Sequence, residues 1–296
     1  MTHSSIPNHH QSGFTLVELV ITIVLGGIVA AMTTSILTQP IEAYIDSSRR
    51  AIITDVAESA LRRMQRDIRR ALPNSIRITN NGQTLELLHL VDGGRYRRYK
   101  STVLTVPSNP ASPLICIPSN TDSPCDILDF STIDTSFDVI GELTDFSSGN
   151  RVVVYPLGNT GSNAYAGDNI SLITNTSTST HLEFSDKQFP LPSPQQRFFI
   201  VDTPITYHCN LASSTLKDRL LVRYQGYDIS EVQSIPPAAP LNGDGDIQAN
   251  HLANCNFKYN LGSSTRSGLV SLEIKIADET GESVSLIHQI HIDNQP

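Results

Sequence analysis

The chain has 296 residues, only 17 % of them charged, and a formal net charge of −8 at pH 7. That length suits one or two domains with a sizeable core, and the sparse, acidic charge argues against a nucleic-acid partner. No G-x-S-x-G, Walker loop, C-x-x-C or H-E-x-x-H pattern occurs, so the common enzyme signatures are missing and a non-enzymatic protein is expected.

Met1 to Gly13 reads as a short polar leader that carries His3, His9 and His10 but no Lys or Arg. From Phe14 to Leu37 the chain is apolar over about the length of a bilayer-spanning helix. Glu18 breaks the run; a charge at membrane depth costs roughly 2.5–3.5 kcal/mol, which marks a partner for it. Arg49 and Arg50 flank the far side, so positive-inside counting favours the opposite orientation. Either the processing machinery overrides this count or the natural start lies elsewhere.

Pro40 is expected to kink the helix, since it lacks an N–H and crowds the preceding turn. Beyond it, Ile45, Ile52, Val56, Ala60, Met64, Ile68 and Leu72 recur at helical spacing and predict one apolar face. The helix should end near Leu72–Pro73–Asn74. Arg62, Arg63, Arg66, Arg69 and Arg70 read as a solvated face with Glu58–Arg62 and Arg63–Asp67 pairs; a docking face for acidic neighbours is the alternative.

From Ser75 the period becomes two. Ile76 and Ile78, then Leu85 and Leu87, predict a hairpin around Asn80–Asn81–Gly82. A second hairpin is expected across Asp92–Gly93–Gly94, joining Leu87–Val91 to Tyr96–Tyr99. Proline-rich residues 107–124, Asn159–Asp168 and Thr174–Thr180 read as loops. Strands are expected at Arg151–Tyr155, Arg197–Val201, Thr206–Cys209 and Leu220–Tyr224, with a Pro-rich connection over Ile235–Pro240. Leu269–Ala277 and Ser283–Ile292 predict the clearest hairpin, turning at Glu279–Thr280–Gly281. His288 falls on its apolar face and His291 on the other, so both read as structural.

The stretch G-F-T-L-V-E at Gly13–Glu18 resembles the processing motif of the type IV pilin and type II secretion pseudopilin superfamily. The resemblance implies cleavage by a prepilin peptidase between Gly13 and Phe14, N-methylation of Phe14, and an assembly role for Glu18 opposite a neighbouring subunit's N-terminal amine. A buried carboxylate in an apolar bundle needs such a cation. The implied fold is α+β: a leader (1–13), a transmembrane half-helix (14–39), an amphipathic half (40–73) and a β-rich extracytoplasmic head (74–296), like that of a J-type minor pseudopilin.

Five further stretches resemble a minor pilin of the mannose-sensitive haemagglutinin (MSHA) pilus system. They are M-Q-R-D-I-R-R-A-L-P-N-S-I-R at 64–77, N-A-Y-A-G-D-N at 163–169, S-P-Q-Q-R-F-F-I-V-D-T-P-I-T-Y-H-C at 193–209, L-V-R-Y-Q-G-Y at 221–227 and G-E-S-V-S-L-I-H-Q-I-H-I-D-N-Q-P at 281–296. The implied partners are major and other minor pilins, the peptidase, the inner-membrane assembly platform and the membrane. The implied location is the inner membrane with a periplasmic head, then the pilus.

The four cysteines form a close pair, Cys116 and Cys125, and a distant pair, Cys209 and Cys255. In a chain facing the exterior they suggest two disulfides, with other pairings open. Asn242, Asp244 and Asp246 resemble the first half of a calcium loop. Ile247 stands where a calcium loop has Gly, and Ala253 where it has Glu. The stretch therefore reads as an exposed turn with calcium as the alternative, and no other cofactor is expected.

Overall fold

One helix, Leu16–Arg69 (α1), carries 54 residues and runs through Pro40 without interruption. The computed structural model describes residues 13–98, 126–237, 245–262 and 267–296, and in 34–39 the backbone only. The leader before Gly13, the Cys116 and Cys125 pair, and Asn242 and Asp244 of the calcium-loop expectation lie outside these residues. Two compact units divide the chain, 1–52 and 53–296.

In the first unit every described side chain is exposed. Leu16–Thr33 is long and apolar enough to cross a membrane. Thr22 and Thr33 donate their hydroxyls to the carbonyls of Leu19 and Val29, so these polar groups are satisfied within the helix, as a lipid environment demands.

In the second unit, helix burial starts at Ile53. Ile53, Ala57, Ala60, Leu61, Met64 and Ile68 form the stripe facing the core. This corrects the predicted face, because Ile45 and Ile52 are 41 % and 62 % exposed. Ile52 stands eleven residues, close to three full turns, before Arg63, so it points to the arginine side. Arg70 and Ala71 close the last turn on the carbonyls of Asp67 and Ile68. The chain then turns at Asn74, whose positive φ of 60° suits asparagine. Asn74 donates to the carbonyls of Pro156 and Asn294, and Asn294 accepts its backbone N–H, so the turn is tied to the C-terminal residues.

Twelve strands follow in the described residues, all paired antiparallel. β1 (Arg77–Thr79) and β2 (Thr84–Tyr96) make the predicted hairpin, with Ile78 opposite Leu85. The second hairpin is absent: β2 runs straight through Asp92–Gly93–Gly94. These glycines serve close packing here. A Cβ on Gly94 would lie 2.9 Å from Phe198 Cζ, and one on Gly93 would lie 3.0 Å from the Phe198 carbonyl. The Asp92 carboxylate accepts the N–H groups of Gly93, Thr144 and Asp145. Burial pushes its pKa up, but these hydrogen bonds outweigh burial and hold it below the usual value.

The strand after β2 was not foreseen: β3 (Asp134–Ile140). β4 (Arg151–Val154) matches its expectation, and β5 (Ile170–Leu172) and β6 (His181–Lys187) are further additions. The two strands expected between Arg197 and Cys209 are one, β7 (Arg197–Asn210). Pro204, which has no N–H to give, sits beside a register shift against β2, where a ladder donor is dispensable. β8 (Leu220–Gln225) pairs with β7 and with the unforeseen β9 (Asp246–Ala249). The large sheet runs β5-β4-β7-β2-β3-β6, with β1, β8 and β9 off that path. β10 (Leu252–Asn260), β11 (Gly268–Ala277) and β12 (Ser283–Ile292) form a separate three-stranded sheet. The fold is α+β and pilin-like.

The main core joins the buried stripe of α1 to Leu85 and Leu87 of β2, Tyr207 of β7 and the inner faces of β10 and β11. A second core gathers Tyr96, Phe137, Phe184, Phe189 and Phe198. Its aromatic ring centroids lie 5.0–6.2 Å apart in tilted or edge-on contacts.

Candidate functional site

The motif residues lie at the start of α1. Gly13, Phe14 and Glu18 are exposed. Thr15 precedes the first helical residue, and its Oγ1 accepts the Glu18 N–H at 3.3 Å, which caps the helix at its third residue. The motif's Thr and Glu thus also start the helix, and the cap holds Glu18 in its first turn. The Glu18 carboxylate has no hydrogen-bond or ion-pair partner among the described residues. A lone carboxylate on an apolar helix is suited to receiving a cation from outside the chain.

At the other end, α1 is fixed to the head by a buried ion pair that sequence reasoning placed elsewhere. Asp67 does not pair with Arg63. Its Oδ2 accepts Arg223 Nε at 2.7 Å and the Tyr207 hydroxyl at 2.8 Å. Arg223 is 6 % exposed and Asp67 16 %. Burial lowers the tendency of Arg223 to stay charged, yet the Asp67 contact outweighs it and holds the guanidinium's pKa above its usual value. Burial, reinforced by Asp67, also pushes the Tyr207 phenol well up. Glu58–Arg62 does form as expected, at 2.6 Å on the exposed side.

A second network lies beside the first. Glu86 on β2, 1 % exposed, accepts Arg77 Nε at 2.7 Å and the Tyr227 hydroxyl at 3.1 Å. Tyr227 also shares a hydrogen bond with Thr206. Arg77 stacks 3.8 Å over the Tyr165 ring and donates to the carbonyls of Ser230 and Glu231. The head stretches noted in the sequence now acquire a physical role. Residues 64–77 supply Asp67 and Arg77, 163–169 supply Tyr165, 193–209 supply Thr206 and Tyr207, and 221–227 supply Arg223 and Tyr227. Asn294, from the terminal stretch, holds Asn74 and Tyr259. Alternating polar residues within apolar strands were the only local signal for these contacts.

Cys209 on β7 and Cys255 on β10 form a disulfide with a Cα–Cα distance of 6.6 Å. It links the large sheet to the small one inside the main core. The cysteines stand 46 positions apart in the chain, and Cys209→Ala/Cys255→Ala is expected to cost about 4 kcal/mol by loop entropy. Urea unfolding of parent and variant, each with and without reductant, measures it. A reductant-insensitive parent midpoint would contradict the bridge.

Asp246 opens β9 and stands 3.9 Å from Arg63, which already supplies it with a cation. No group of three or more His, Cys, Asp or Glu side chains suited to a metal occurs among the described residues. His288 is half-buried on the inner face of β12 and His291 exposed on the outer.

The family model for the prokaryotic N-terminal methylation motif matches residues 8–34. No curated protein and no solved structure matches the chain.

Proposed function

From a chain that carries the type IV pilin-like methylation motif, we propose a minor pilin that takes part in initiating or assembling an adhesive MSHA-type cell-surface pilus, resembling MshO of that system. A prepilin peptidase cuts between Gly13 and Phe14 and methylates the new Phe14 amine. The first half of α1 then holds the protein in the inner membrane with its head in the periplasm, until the assembly platform moves it into the filament. The observation that carries this reading is the capped Glu18 in an exposed, membrane-length helix whose far end is anchored in a large β-rich head.

A head of this size is bulky for a shaft that must tile closely, which favours a place in the initiating complex. Retention of Glu18 favours a place below the apex, because its carboxylate then meets another subunit's Phe14-equivalent amine. Glu18→Ala is therefore expected to leave the protein membrane-inserted and folded while reducing its recovery in sheared pili several-fold. Normal recovery would overturn this placement. Deleting the gene should abolish surface pili; loss of exoprotein export with pili intact would instead assign a J-type pseudopilin of a type II secretion system.

A further inference from the structure

We propose that the arginine ridge at the end of α1 is a docking surface for the acidic head of a neighbouring subunit, a head charged like this chain's own; the inference rests on the filament reading above. Within residues 59–73 stand Arg62, Arg63, Arg66, Arg69 and Arg70, with Asp67 as the one acid. At 100° per residue the five arginines span about a third of the helix circumference, opposite the stripe that packs into the core. Asp67 is turned inward onto Arg223, while Glu58 pairs with Arg62 and Asp246 stands 3.9 Å from Arg63, which leaves Arg66, Arg69 and Arg70 to meet a partner. Arg66, Arg69 and Arg70 are exposed, and their guanidinium groups have no partner among the described residues.

Two clefts flank this ridge within the head unit. One, of about 490 Å³, is lined by Ser59, Arg63, Arg66, Asp246 and Gln248. The other, of about 230 Å³, sets Arg69, Arg197 and His291 around Leu90 and Phe199, with Asp293 at its side. Each offers a carboxylate more than one donor from more than one element. The cations on α1 are all arginine: seven Arg and no Lys stand between residues 14 and 73. A merely solvated face has no need for that choice, whereas a planar fork that grips carboxylates in pairs does.

Charge complementarity identifies the partner. The rest of this chain, residues 74–296, carries 23 acidic against 14 basic residues. A head of that chemistry on an adjacent subunit would be drawn to the ridge and repelled by another head like itself, which orients the contact.

The test uses the full-length protein in neutral detergent, with fluorescent hexaglutamate as the probe and anionic vesicles of phosphatidylglycerol and phosphatidylcholine as a second ligand. Saturable peptide binding is expected, weakened about tenfold by Arg66→Glu/Arg69→Glu and by raising salt from low to high. Arg66→Lys/Arg69→Lys should fall between parent and reversal. Both variants should melt with the parent, because neither side chain is buried. Binding that is absent, or equal in parent and reversal variant, would overturn the proposal. Ridge-dependent binding to vesicles without binding to peptide would assign the surface to lipid and overturn it too. In cells, the reversal variant should be processed at Phe14 yet recovered poorly in pili. Peptide binding needs no filament, so a failed filament assignment and a failed docking surface give separate results.

Discussion

Gly13→Ala is expected to leave most of the protein as an uncleaved precursor in cells with active prepilin peptidase. Intact-mass measurement on membrane extracts should find residues 1–13 still attached, where the parent shows only a chain beginning at methylated Phe14. The substitution isolates recognition from folding: Gly13 lies before the helix, and a Cβ built there meets nothing within 4 Å. The peptidase would meet the added methyl; the fold would not. Without cleavage Phe14 has no free amine, so the neighbour's Glu18 faces lipid without its cation, a loss on the order of the 2.5–3.5 kcal/mol insertion cost. Pilus recovery should therefore fall at least as far as in Glu18→Ala. A parent protein that keeps Met1 where the peptidase is active would overturn both the processing site and the filament reading.

The parts of this molecule that were legible in the sequence are those whose partners are close along the chain. α1 announces itself by apolar length and helical period, β1–β2 by Asn80–Asn81–Gly82, and β11–β12 by two alternating runs. The methylation motif is local as well, matched within residues 8–34. Misreadings arose where a distant partner decides. Asp92–Gly93–Gly94 has the composition of a turn but lies within a strand, because Phe198 and Phe199, more than a hundred residues on, occupy the space that side chains there would fill. Asp67 has an arginine four residues before it on the same helix, yet Arg223, 156 residues later, takes it. β3 and β6 were missed since each needs the other: Phe137 and Leu182 are buried as cross-strand partners, and the surrounding Asp, Ser and Thr residues hide the alternation.

Arg223→Ala is expected to destabilise the folded head by about 3–5 kcal/mol, the range for breaking a buried ion pair by removing one partner. The loss comes from what remains after the guanidinium is gone. The Asp67 carboxylate stays at a site 16 % exposed, and among the described residues Tyr207 is its one remaining side-chain partner. Asp67→Ala should cost a similar amount, since it strands the Arg223 cation at 6 % exposure. The double variant should cost much less than the sum, and adding Tyr207→Phe should remove the residual penalty of an unpaired hydroxyl. Urea midpoints of the full chain in detergent, at a constant denaturant slope, read these differences. Alkaline titration supplies an independent arm. The Tyr207 phenol is raised above its ordinary value of 10.0, by burial first and then by Asp67. Its stabilisation is complete below pH 10 and declines as pH climbs from there toward the folded-state value. Tyr207→Phe should flatten that alkaline decline. If Arg223→Ala and Asp67→Ala each cost under about 1 kcal/mol, the pair behaves as a hydrated surface contact. The end of α1 would then be held by its apolar stripe alone, and the polar residues at 67, 207 and 223 would have to be explained by something other than fixing the helix to the head.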